Sequence, residues 1–287
     1  MTKPFTVAAV MQCVEQGLID LMAPVTDYLP GFARPMVAHA IQDQDGKWQM
    51  IYDHPARNTI LVYHLLSHTS GIGSDTMRNL LKLSCGSPKA TTEYYASQPI
   101  AFDPYSTQSY STSAAFDVAA RILELVTGES FGPYVIEHIC KPLGLTDTTF
   151  EPSKEQFARI VTMFDRDTDG KGYDKTVKDP ECVFSDVPVT AWIAGAGLLT
   201  SAEDYSKFAE MLLNLSLGTN GTRILSEKSV LEMQTPHVPE SIMGGPFRWG
   251  LGVRVITRAD YPNKLPIGAW GWGGAYGTDF WVDPENK

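Results

Sequence analysis

Cysteine is scarce in this 287-residue chain: Cys13, Cys85, Cys140 and Cys182 stand far apart, with no C-x-x-C pair and no Cys/His spacing suited to zinc. That spacing excludes a dithiol redox motif and a zinc module, and leaves buried free thiols as the expectation. Positive charge is also short, with 23 Lys and Arg against 33 Asp and Glu and a formal net charge of -10. No basic stripe gathers those cations, which excludes a nucleic-acid partner, since phosphates are held by clustered Lys and Arg. No apolar run approaches the roughly 20 residues that cross a bilayer, and no charged segment followed by an apolar one and a cleavage site marks a leader. The compartment stays open on these grounds, with the cytoplasm favoured over export. Internal repeats and low-complexity tracts are absent as well.

What is present is ordinary globular material, 43% apolar and 20% charged, enough for one large domain. Phe5, Ala8, Ala9, Met11, Val14 and Leu18 form a helix so apolar that it must be buried on most sides, closed by Gly17. From Met22 to Asn58 four prolines and "DQDGKW" predict loops and turns. "AAFDVAARILELVTG" predicts a helix stopped at Gly128, and Phe131 to Cys140 a second one, broken at Pro142. "TSAEDYSKFAEMLLNL" predicts a third, with Ser201 and Asp204 as a capping box. Only two strands are legible, about Val253 and Val255 and from Tyr276 to Val282. The chain therefore divides into a core helix (1–21), a mainly helical region with long loops (22–190) and a C-terminal α/β part with two strands (191–287), all within one interleaved domain.

Three motifs are set aside on chemical grounds. "GESFG" matches G-x-S-x-G around Ser130, but a nucleophile elbow needs a strand before the serine and here a helix precedes it, so Ser130 reads as a cap in a helix–helix turn. "DRDTDGKGYDKT" spaces Asp165, Asp167 and Asp169 like the front of a calcium loop, yet Thr176 stands where a bidentate Glu should close the site. His64 and His68 lie four apart without H-E-x-x-H, and read as hydrogen-bonded residues of a turn. No metal and no cofactor are expected.

The stretches "MTKPFTVAAVMQ", "LLSHTSGI", "YSTSAAFDVAARILELVTG", "KPLGLTDTTF", "GAGLLTSAEDYSKFAEMLLN" and "GWGGAYGTDFWVDPE" together resemble the serine β-lactamase-like superfamily, in the branch of class C β-lactamases, D-aminopeptidases and related esterases. The resemblance implies an α+β fold of the β-lactamase/penicillin-binding-protein type, an antiparallel sheet flanked by helices plus an all-helical region. It also implies that the sheet is incomplete in this chain, with self-association through its open edge. The family's S-x-x-K motif, aligned on Lys3, puts its serine immediately before Met1, and the chain holds no other S-x-x-K. Residues three apart share a helix face, which brings the ammonium beside the hydroxyl. The expectation is a chain that starts after its nucleophile.

By the same resemblance Tyr110 of Tyr110-Ser111-Thr112 is the general base or proton shuttle, its phenolate favoured by Lys3, and Thr112 replaces the usual Asn at a substrate-binding position. Trp272-Gly273-Gly274 aligns with K-T-G and lines the substrate, and Ala275 supplies a backbone N–H to the oxyanion. An indole in place of a cation favours neutral esters over anionic β-lactams. The implied activity is hydrolysis of small acyl esters or amides through an acyl-serine. β-Lactamase, D-amino-acid peptidase and acyltransferase chemistry are the alternatives on the same fold, and a non-catalytic binding protein is the alternative from another class.

Overall fold

The structure is a computed structural model that describes residues 1–74, 86–162, 164–166, 173–175, 192–262, 264–274 and 277–286. Cys85, Cys182, Ala275, Tyr276 and most of the acidic loop around Asp167, Asp169 and Thr176 lie outside the described residues.

At the centre runs the Lys3–Glu15 helix, with every residue from Lys3 to Cys13 buried. Pro4 is accommodated in its first turn, where a missing N–H leaves no bond unmade. The other end closes on Gly17 at φ +70°, with the Leu18 N–H reaching back to the Cys13 carbonyl. Phe5 stacks on Phe208 at 3.8 Å between centroids and meets Tyr205 edge-on at 5.7 Å. Both partners belong to the Ala202–Leu213 helix, capped by the Ser201 hydroxyl on the Asp204 N–H. The expected box is only half formed, because the Asp204 carboxylate turns to the Asp147 N–H and the Thr148 hydroxyl.

The Ala114–Thr127 helix lies alongside and ends on Gly128 at φ +75°. Glu124, buried in it, accepts from the Phe131 N–H and so ties down the following helix. Ser130 is exposed in that turn and its hydroxyl caps nothing; the carboxylate of Glu124 does that work. The second helix does not break at Pro142. It continues as Phe131–Val135, a π-turn over Ile136–Cys140, and Lys141–Leu143, closing at Gly144. Proline lacks the N–H that would meet the carbonyl four residues back, and Gln12 Nε2 supplies the missing donor to His138 O at 3.1 Å.

Strands are more numerous than expected. The 22–190 region contains a hairpin, β1 (Met36–Gln42) with β2 (Trp48–Pro55), turned by Asp43 and Gly46. It also holds a short second pair, β3 (Phe164–Arg166) with β4 (Tyr173–Lys175). In place of two C-terminal strands there are, among the described residues, four in one antiparallel sheet: β5 (Phe247–Trp249), β6 (Arg254–Ile256), β7 (Trp270–Gly273) and β8 (Asp279–Val282), in that order. Phe280 of β8 contacts Tyr205 at 4.9 Å, which seats the sheet on the helices. Cys13 and Cys140 are free and buried. Among the described residues no helix is long and apolar enough to cross a membrane.

Candidate active site

Lys3 is 1% exposed, an expensive position for an ammonium, and one made worse by the positive end of its own helix. The cost is offset by acceptors. Its Nζ donates to the Tyr110 hydroxyl at 2.9 Å, the Thr112 carbonyl at 2.6 Å and the Gly195 carbonyl at 3.0 Å. Aromatic rings of the described residues lie around it, Tyr110 at 4.8 Å, Phe116 at 5.1 Å and Trp272 at 5.9 Å. The Lys3–Tyr110 pairing expected from sequence is thus formed. Thr112 serves Lys3 through its backbone carbonyl, so replacing Asn by Thr there leaves this contact intact.

Tyr110 is held in place by its neighbours. The Ser111 hydroxyl accepts from the Ala115 N–H and anchors the start of the Ala114–Thr127 helix, while the Ser111 N–H donates to His68 Nδ1 at 3.1 Å. His68 sits at φ +58°, an uncommon conformation for a non-glycine residue. Burial, then the charges of Lys3 and Arg254, hold its imidazole well below the usual range. The ring is therefore neutral, with the proton on Nε2, which has no hydrogen-bond partner among the described residues. Its ring packs 4.8 Å from Tyr110, 4.5 Å from Trp249 and 5.9 Å from Trp272. His64 follows the structural expectation: Nδ1 accepts from the Leu61 N–H, and burial lowers its pKa to about 4.

The Gly195 carbonyl is positioned from two sides. Asp117 accepts from the Ala194 N–H and the Ser113 hydroxyl, each at 2.8 Å, and the Thr6 hydroxyl donates to the Ala194 carbonyl at 2.6 Å. Burial pushes the Asp117 carboxyl up to about 7, against the opposing pull of these donors and of Lys3. Only glycine fits at 195, since a Cβ there would lie 2.6 Å from Ser113 Cα and 2.7 Å from Thr112 O. Asp117, Gly195 and His68 were not singled out as site residues from sequence. The one available signal was an acid on the apolar face of the Ala114–Thr127 helix.

The opposite wall is β7. Trp272 is 3% exposed and lies 5.6 Å from Tyr110 and 5.3 Å from Trp249. Gly273 ends the strand, and the Gly274 N–H turns back to Thr278 O. A Cβ on Gly274 would come within 3.5 Å of Met1 Cγ, so the start of the helix faces the end of β7 across a narrow gap. Thr2 is buried, and its hydroxyl accepts from the Leu198 N–H. Ala275, assigned the oxyanion N–H from sequence, is outside the described residues. Among those residues no group of His, Cys, Asp or Glu side chains is placed to hold a metal ion.

The helices and small antiparallel sheets have the β-lactamase/penicillin-binding-protein-like fold, and within it the Lys3 ammonium meets the Tyr110 phenol close to the glycine-ended β7. The chain belongs to the Beta-lactamase family, whose description it matches over residues 1–287. Protein Rv1367c of Mycobacterium tuberculosis (strain ATCC 25618 / H37Rv) is 30% identical over 306 residues, covering 99% of this chain and 73% of that protein. Esterase EstB of Burkholderia gladioli is 27% identical over 325 residues, with 99% and 72% covered. Among solved structures, the LovD6 mutant of simvastatin synthase from Aspergillus terreus superposes with a TM-score of 0.76 at 26% identity, covering 99% of this chain and 72% of that one.

Proposed function

We propose that this fold performs acyl transfer through a serine ester, with hydrolysis of small acyl esters as its main outcome. The observation that carries the reading is the buried Lys3 Nζ to Tyr110 hydroxyl bond of 2.9 Å. Such a cation favours the phenolate over the phenol, the form that can take a proton as a general base. The nucleophile in this reading is a serine immediately before Met1. Thr2 already has helical φ and ψ of -68° and -36°, and in this reading the helix extends back through Met1 so that the serine, three residues before Lys3, shares its face.

Tyr110 takes the proton from the serine hydroxyl as the oxygen attacks the acyl carbon. It then passes that proton to the departing alkoxide. Water next attacks the acyl-serine, giving its proton to Tyr110, which returns it to the serine oxygen. An alcohol in place of water turns the same cycle into acyl exchange; the likeness to an esterase supports the first outcome and that to simvastatin synthase the second.

The test compares the chain as it stands with a chain carrying Ser before Met1, on p-nitrophenyl butyrate, nitrocefin and a D-Ala peptide. Loss of a serine nucleophile costs about a million-fold in kcat, so the added serine should raise ester turnover by orders of magnitude and butyrate should be the best of the three. A folded, serine-bearing chain inert towards all three would sink the proposal and favour a non-catalytic binding protein.

A further inference from the structure

Only one side of the β1–β2 hairpin is joined to the rest of the protein. β1 is held there by the Ala38 N–H on the Ile100 carbonyl and the Ile100 N–H on the Met36 carbonyl. Among the described residues no strand other than β1 pairs with β2. The turn fixes which backbone groups face the open side. The Asp43 N–H donates to the Lys47 carbonyl at 3.0 Å, and bonded pairs alternate with non-bonded ones along an antiparallel ladder. In the observed register Ile41 with Gln49 and His39 with Ile51 are then the bonded pairs, so Trp48, Met50 and Tyr52 turn their N–H and C=O groups outward.

Exposed edges are ordinarily blunted by shortness, a bulge, a proline or a charge. The C-terminal sheet follows that rule, its edge strands β5 and β8 being three and four residues long. β2 runs eight residues, its bulge comes only between Tyr52 and His54, and its proline is its last residue, so Trp48–Tyr52 is a regular, uncharged edge. That edge carries Trp48 and Tyr52, 42% and 59% exposed. It is also complementary to itself. Antiparallel pairing about a twofold axis at Met50 sets Met50 against Met50, Trp48 against Tyr52 and Gln49 against Ile51, and brings Lys47 beside Asp53 at both ends. Both charged residues are exposed, and while Asp53 Oδ2 meets His39 Nδ1 at 3.0 Å, Oδ1 has no described partner. Aromatic and opposite-charge pairs stabilise such a ladder, whereas an axis at Ile51 would leave Lys47 opposite Pro55. We propose that β2 pairs with β2 of a second copy of this chain about a twofold axis at Met50, joining two hairpins into one sheet. A self-paired strand is an isologous contact, which closes at the dimer. The dimer is independent of the acyl-transfer reading.

Sedimentation velocity on the unaltered chain tests the pairing. So short a strand contact is small beside the roughly 1,200–2,000 Å² of a stable interface, so a reversible monomer–dimer equilibrium is expected between about 1 and about 300 µM. Lys47→Glu and Asp53→Lys each set like charges against each other at both ends, and each should weaken the dimer about tenfold. Mixed together, the two variants again meet with opposite charges at both ends, so the mixture should dimerise as the parent does. Asp53→Lys also releases His39, and Trp48→Lys, which spares that pair, provides the second route: it removes both aromatic pairs and should leave a folded monomer. A parent chain that is monomeric throughout, a dimer that neither charge reversal weakens, or a mixture that associates no better than its components would each overturn the assignment. So would a dimer that survives Trp48→Lys, since its contact would lie on another face.

Discussion

Asp117→Asn tests the electrostatic frame of the site quantitatively. The carboxyl has a reference value of 3.8 and is pushed up to about 7 by burial. At about 1.4 kcal/mol per pKa unit, the shift amounts to about 4 kcal/mol of linkage. The folded pKa is the raised one, so the contribution is fully present below the unfolded value and is lost as pH rises through the folded value. Asn keeps an oxygen for the Ala194 N–H and offers its amide N–H to the Ser113 oxygen, so both contacts survive while the ionisation disappears. Between about pH 5 and pH 8 the parent chain should lose about 2–3 kcal/mol that Asp117→Asn keeps. Urea midpoints of the two proteins across that window measure the difference. Parallel profiles, or a variant that loses more than the parent, would refute the view that Asp117 is buried with its proton held.

Two further predictions concern packing at Gly195 and the buried imidazole of His64. Gly195→Ala forces a Cβ to within 2.7 Å of backbone atoms of Thr112 and Ser113, an overpacking that should cost about 1–3 kcal/mol; an unchanged urea midpoint would show that the loop has room after all. His64, lowered from 6.5 to about 4 by burial, contributes stability above its unfolded pKa that is lost as pH falls through the folded one. Relative to His64→Asn, whose oxygen can replace Nδ1 as acceptor for the Leu61 N–H, the parent should lose about 3 kcal/mol between those values, readable as a higher acid-unfolding midpoint; coincident midpoints would contradict a buried neutral imidazole.

The elements legible in the sequence are those whose signal is local. The Lys3–Glu15 helix announces its burial by having no polar stripe, and Gly17 and Gly128 mark helix ends because a left-handed residue is needed there. Lys3, Tyr110 and Trp272 became a site only through resemblance, since nothing in their spacing brings three distant segments together. What stayed hidden depends on neighbours. The β1–β2 hairpin exposes much of both faces, with Ile41, Trp48, Ile51 and Tyr52 all solvent-accessible, so it has no alternating pattern. β7 reads as a glycine-rich loop because "WGWG" gives strand propensity to alternate residues only. Pro142 signals a break that Gln12 repairs from another helix. Gly195 and Arg254 carry no local mark at all, for their surroundings arise from a close backbone approach and from rings contributed by two other strands.

The most direct measurement of the central claim is phosphonylation of the chain preceded by Ser, followed by intact mass and peptide mapping, beside its Lys3→Met and Tyr110→Phe variants. The account predicts a stoichiometric fluorophosphonate adduct on the added serine, formed far more slowly in both variants, and none on Ser130. An adduct on Ser130, or labelling of the added serine at the same rate with and without Lys3 and Tyr110, would contradict it.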